Sequence, residues 1–188
     1  DCFEEGEHLH GKRDCRHSME HNETVQPEDL PRYAELGICP GMQPWHMLLD
    51  MADLAKDDAV GPERAAFSWP LHSLLASGAV VHLGSDFPVV GLEPMEEVYG
   101  AVFRMLEDGS NPESWFPQER ITMAEALCAY TYGSAYAMHA EDRIGTLACG
   151  KQADICVLDR NLFDCEPAEV LEATAALTMI AGKVVFEA

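Results

Sequence analysis

Apolar residues along the chain follow two rhythms. Short apolar runs such as residues 79–84 alternate with segments, such as 94–107, in which apolar positions return every three or four residues. That alternation predicts parallel strands joined by helical crossovers, an α/β class. A first strand is expected over residues 15–21, ending at His21 before the polar Asn22, Glu23 and Thr24. A helix follows over 27–36, with Pro27 tolerated in its first turn and Gly37 as its stop. A second strand over 38–44 is weakened by Pro40 and Gly41. Residues 46–68, with Asp50, Asp53, Asp57 and Asp58, read as an extended loop carrying helical turns. Residues 69–77 read as a helix closed by Gly78, and 79–84 as a buried strand running into Ser85 and Asp86. Pro94 opens a helix over 94–107, and Thr122 with Glu125 forms a capping box for a helix reaching about His139. Beyond Gly145 and Gly150 come a strand over 153–158, an acidic helical turn, and strands over 175–180 and 183–186 joined at Ala181-Gly182.

Composition narrows the function classes. The 188 residues are 47% hydrophobic and 24% charged, the proportions of a domain with a real core. Acidic residues number 33 against 12 basic ones, a net charge of −21, so neither a nucleic-acid groove nor a polybasic membrane patch has material. No apolar run approaches the roughly 20 residues of a membrane span. The acidic opening, Asp1, Glu4, Glu5 and Glu7, is unlike a basic secretory n-region. Seven cysteines without a C-x-x-C pair predict reduced, packed thiols and a cytoplasmic setting.

Eight histidines among many carboxylates make a metal site the first chemistry to test. His8 and His10 read as solvated, His82 as a core histidine with a hydrogen-bond partner, and His139 as a cation at a helix C-terminus. His21 and Asp86 differ, because each closes an expected parallel strand at the edge where α/β folds collect ligands. His46 follows the second strand onto the same rim, either as a substrate contact or as a surface residue. Cys15 and Cys39, at strand starts on the opposite rim, read as packing residues. Trp45, Trp69, Phe87 and Met95 could line an apolar substrate site or serve packing.

Four motifs then occur in one order: Arg16-His17-Ser18-Met19-Glu20-His21, Gln43-Pro44-Trp45-His46, Gly84-Ser85-Asp86-Phe87-Pro88-Val89 and the run from Gly145 to Asp154. In order and spacing the chain resembles the metal-dependent amidohydrolases, family 3, with its YtcJ-like and N-substituted formamide deformylase-like members. The resemblance implies the C-terminal part of a (β/α)8 TIM-like barrel, strands six to eight, over residues 1–140. It implies the C-terminal portion of a small composite β-sandwich over 141–188, with residues 1–12 as the end of the helix after strand five. A whole barrel takes roughly 250 residues, so the chain is expected to be a C-terminal fragment of a longer enzyme. The Gly150-Lys151 pair falls in a sandwich turn and not at a phosphate site.

The resemblance also implies roles. His21 and Asp86 would hold a divalent metal, zinc in the common case, as one or two ions. Asp86 would take the proton from the attacking water and pass it to the leaving nitrogen. His46 and Gln43 would contact a small amide-type substrate, His46 at the carbonyl or oxyanion. Two ligands do not complete a tetrahedral site, so little zinc is expected on the chain alone, and no turnover. One alternative is a metal-free, non-catalytic α/β module that self-associates, as a homo-oligomer, through exposed strand edges. Another is a complete metal-binding α/β domain unrelated to barrels.

Overall fold

The computed structural model describes residues 1–53 and 59–188, without the side chains of 50–53. Asp57 and Asp58 lie outside the described residues. Strands β1 (Ser18–Met19), β2 (Cys39–Met42) and β3 (His82–Leu83) form a parallel sheet in that order. Ser18 stands opposite Cys39 and Gly41 opposite His82. Pairing runs past the strand ends, with Cys39 N–H donating to His17 O at 2.9 Å and Gly84 N–H to Met42 O at 3.1 Å. A second, antiparallel sheet holds β4 (Ile155–Leu158), β5 (Ala175–Ile180) and β6 (Lys183–Glu187), with β5 central.

The parallel strands are shorter than the apolar pattern predicts, and the reason is tertiary. Residues 15–21 were expected as one strand, yet Arg16, His21 and Asn22 take left-handed backbone angles and leave only Ser18–Met19 extended. Arg16 sits over the Tyr136 ring at 3.8 Å, donates to Tyr136 O at 2.7 Å and pairs with Glu141 at 2.7 Å. Its hydrogen bonds hold the Glu141 carboxyl down at about 2. These contacts anchor the approach to β1 on the helix Ser134–Ala137.

Residues 46–68, expected as an extended loop, contain the helices Pro44–Asp53 and Pro62–Ala65. Met47 and Leu48 are buried, and the first helix lies against the helix Pro94–Phe103. Gly100 permits that approach, because a Cβ there would stand 2.9 Å from Pro44 O. The helix expected over 122–139 does open on the Thr122–Glu125 capping box, with Glu125 N–H donating to Thr122 Oγ1 at 3.2 Å. It then widens into a π-turn, Ala129–Gly133, before Ser134–Ala137. Gly133 there lies against Val81 O so closely that any Cβ would overlap it. Contact with β3 coincides with the loss of regular α geometry.

The core gathers Met42, Met47, Trp69, Leu71, Leu74, Val81 and Val98, and it continues across residue 140 to Leu162 and Val170. Trp69 therefore packs, whereas Phe87 is exposed. Arg104 is fully buried beneath this layer, where it donates to Trp115 O at 2.7 Å, Trp69 O at 2.9 Å and Ser68 O at 3.2 Å. Burial pulls its guanidinium down to about 10, so it stays charged at neutral pH. The expectation of packed thiols fails for most cysteines. All seven are free, but only Cys39 is buried, and Cys15, expected to pack, is exposed with Cys2, Cys128, Cys149 and Cys156. Among the described residues no helix is long and apolar enough to cross a membrane.

Candidate metal centre

The carboxyl end of the parallel sheet gathers most of the chemistry-bearing groups. His21 follows β1 by two residues, and Asn22 fixes the turn it stands on. Asn22 Nδ2 donates to Met19 O at 2.5 Å and Gly41 O at 3.0 Å, while its Oδ1 accepts from Tyr33 Oη at 2.5 Å. Histidine and asparagine tolerate left-handed backbone better than most residues. The next residues are held from far along the chain. Trp69 N–H donates to Glu23 O at 3.1 Å and Val25 N–H to Phe67 O at 3.3 Å.

His46 lies in the first turn of the helix Pro44–Asp53, with its backbone N–H on Gln43 O at 3.1 Å. Trp45, one residue earlier, donates its N–H to Glu97 Oε2 at 3.0 Å. Glu97 is fully buried and its Oε1 has no hydrogen-bond partner. Burial pushes this carboxyl up to about 8, against the smaller opposing effect of the Trp45 N–H.

The result is a group of three. One donor atom each from His21, Glu23 and His46 lie within 4.8 Å of one another. The two imidazole rings are nearly parallel, 6.2 Å apart at their centroids. His21 is exposed, Glu23 half-buried and His46 buried, and His46 Nε2 has no hydrogen-bond partner. A buried imidazole nitrogen without a partner costs desolvation free energy unless a proton donor or a cation meets it. The donor set therefore fits a divalent metal.

Beneath this rim the inward face carries a second polar cluster. Ser18 Oγ donates its single proton to Glu20 Oε1, so the 2.9 Å contact to His82 Nε2 makes that nitrogen the donor. Burial holds the His82 pKa below the ordinary range, with Glu20 opposing. His82 has the hydrogen-bond partner expected of it, but it is half-buried beside exposed Ser18 and lies outside the buried core. Gln43 Nε2 donates to Glu20 Oε2 at 3.3 Å, and its buried Oε1 has no partner. Gly41 leaves room for this cluster, since a Cβ there would meet the Glu20 carboxylate and stand 2.7 Å from His82 Cε1.

Of the residues named from sequence, His21 and His46 come together, while Gln43 meets His46 through its backbone carbonyl and turns its side chain to Glu20. Asp86 is not in the three-residue group; it is exposed, at φ 55°, on a turn closed by Val89 N–H to Asp86 O at 2.9 Å. It was expected at the end of a rigid strand over 79–84, but β3 ends at Leu83. Glu23 and Glu97 were not singled out. The His21-x-Glu23 spacing was a signal for the first; nothing local marks the second.

Comparison with known proteins agrees with this chemistry. The model of the amidohydrolase family matches residues 2–186. The chain is 34% identical over 184 residues to the protein LONG AFTER FAR-RED 3 of Arabidopsis thaliana, covering 97% of this chain and 31% of that protein. It is 29% identical over 181 residues to the putative amidohydrolase YtcJ of Bacillus subtilis, covering 95% and 34%. It is 32% identical over 155 residues to the N-substituted formamide deformylase of Arthrobacter pascens, covering 73% and 28%. The chain thus spans about a third of the length of these relatives. Among solved structures, an uncharacterised metal-dependent hydrolase from Pyrococcus furiosus superposes with a TM-score of 0.63 at 28% identity, covering 81% of this chain and 29% of that one. An adenosine deaminase from Xanthomonas campestris with bound zinc superposes at 0.65 and 20% identity, covering 96% and 39%, a likeness of fold.

Proposed function

From a chain that belongs to the amidohydrolase family, we propose a part in metal-dependent hydrolysis of a C–N bond in a small amide-type substrate. The observation that carries this reading is the group of His21, Glu23 and His46 at the end of a parallel sheet. The relative named as an N-substituted formamide deformylase makes N-formyl and N-acyl amines the substrates to try first. In this reading β1, β2 and β3 are barrel strands six, seven and eight. β4 to β6 are the C-terminal share of a β-sandwich, with the division at residues 140 and 141. Turnover is assigned to the full-length gene product rather than to these residues alone.

When bound, a divalent cation such as zinc supplies a Lewis acid that makes hydroxide available from water at neutral pH. The rest is done by side chains. His21 holds the ion through a neutral imidazole. Asp86, on its exposed turn, takes the proton of the attacking water and returns it to the leaving nitrogen. Gln43 borders the substrate, and His46 has a place at the ion or at the substrate carbonyl. In the zinc-loaded full-length gene product, Asp86→Asn is expected to lower kcat toward a panel of N-formyl and N-acyl amines by about 10²–10⁴-fold, with metal content unchanged. Undiminished turnover would remove Asp86 from this role.

A further inference from the structure

We propose that this chain binds one divalent cation by itself, at a site made by His21, Glu23 and His46. Asp86 is not needed for it. The inference rests on the group of His21, Glu23 and His46 that carries the hydrolase reading, and deepens it. What it adds is Glu23 as the carboxylate and His46 as the second imidazole.

The geometry supports closure on an ion. For three atoms no more than 4.8 Å apart, a common centre lies at most 4.8/√3, about 2.8 Å, from each. Zinc takes nitrogen and carboxylate oxygen at about 2.0–2.2 Å, so inward shifts of less than about 1 Å complete the contact. Two imidazoles and one carboxylate form a donor set that zinc uses in open sites, where a fourth position is left to water. The gradient of exposure, from buried His46 to exposed His21, leaves that position toward solvent.

Each ligand is held from behind by an independent part of the fold. Asn22 pins the turn of His21 to Met19 O and Gly41 O. The Trp69 N–H on Glu23 O and the Val25 N–H on Phe67 O hold the backbone at Glu23 and just beyond it. Glu97 holds the helix start that carries His46. Pre-set ligands lose less entropy on binding, which favours retention of the ion. The second observation pointing to a ligand is His46 Nε2 itself, since the residue is 9% exposed and that atom has no partner.

The test uses the 188-residue chain, stripped with a chelator and titrated with Co²⁺ and then Zn²⁺ under reducing conditions. About one equivalent should survive gel filtration, and the cobalt form should show weak d–d bands without a thiolate charge-transfer band. Glu23→Gln, His46→Gln and His21→Asn should each weaken binding at least about tenfold, and Asp86→Asn by less than about threefold. Asparagine suits the left-handed backbone at position 21, so His21→Asn keeps the test alive if His46→Gln unfolds the chain, as circular dichroism will report. The proposal is overturned by no retained metal, by a charge-transfer band showing cysteine ligation, or by loss of binding on Asp86→Asn with none on Glu23→Gln. A full-length gene product that binds the ion as stated but hydrolyses no amide would sink the hydrolase reading and leave this site standing.

Discussion

The two sheets of this molecule solve different problems. In the antiparallel sheet, β5 and β6 are joined by a two-residue hairpin whose amides are met by the residues just before β4. Ala181 and Gly182 both take positive φ, 50° and 78°, the turn that a two-residue hairpin requires. Ala181 N–H finds Asp154 Oδ1 at 2.8 Å and Gly182 N–H finds Ala153 O at 2.9 Å. The parallel sheet has strands of two to four residues, and its rim leaves Gln43 Oε1, His46 Nε2 and Glu97 Oε1 buried without partners. Among the described residues, buried polar atoms without partners also occur at Ser68 and Ser114, but His46 Nε2 is the one that belongs to the three-residue group. A site poised for a ligand carries in advance the polar groups that the ligand will satisfy.

The comparison breaks most readily at Arg104. Its guanidinium supports three carbonyls beneath the rim, so Arg104→Ala should cost about 4–5 kcal/mol in urea unfolding of the chain. A loss under about 1 kcal/mol would show that these carbonyls find other partners.

Glu97 provides the pH test. Its value in the folded state is about 8, above the ordinary 4.5. The stability tied to its neutral form is therefore full below about pH 4.5 and is lost as pH rises through 8. Across that window the chain should lose roughly 3–4 kcal/mol from this group, and Glu97→Gln should flatten the profile while keeping an acceptor for Trp45 N–H. A profile unchanged by the substitution would show that Glu97 is already ionised in the folded chain.

Away from the parallel-sheet rim the effects should be smaller and local. Gly182→Ala places a Cβ at φ 78° and should cost about 1 kcal/mol in thermal unfolding. Thr122→Ala removes the cap accepted from Glu125 N–H and should cost about 0.5–2 kcal/mol, visible as a lowered Tm. Neither substitution should change metal binding. A change with Gly182→Ala would mean that the two sheets are more tightly coupled than their separate hydrogen-bond systems suggest.

Much of this was legible along the chain. The Thr122–Glu125 box, the positive-φ turn at Ala181-Gly182 and the stop at Gly37 all rest on interactions within a few residues. His21 and His46 were marked by their position after parallel strands. Misreadings have a common cause. Residues 15–21 lost most of their extended length where Arg16 is held by Tyr136 and Glu141, more than a hundred residues away. Residues 46–68 read as an extended loop carrying helical turns, and the structure makes a ten-residue helix, Pro44–Asp53, of its first part, seated on Pro94–Phe103.

The amino-acid sequence by itself determined the helix caps, the turn positions, the acidic net charge and the two imidazoles, because capping and turn chemistry act over short spans. The tertiary structure alone decided that Glu23 joins those imidazoles, that Glu97 is buried against Trp45, and that Asp86 stands on an exposed turn. Those outcomes depend on backbone hydrogen bonds and burial between segments distant along the chain, and no local pattern encodes the free energy of such contacts.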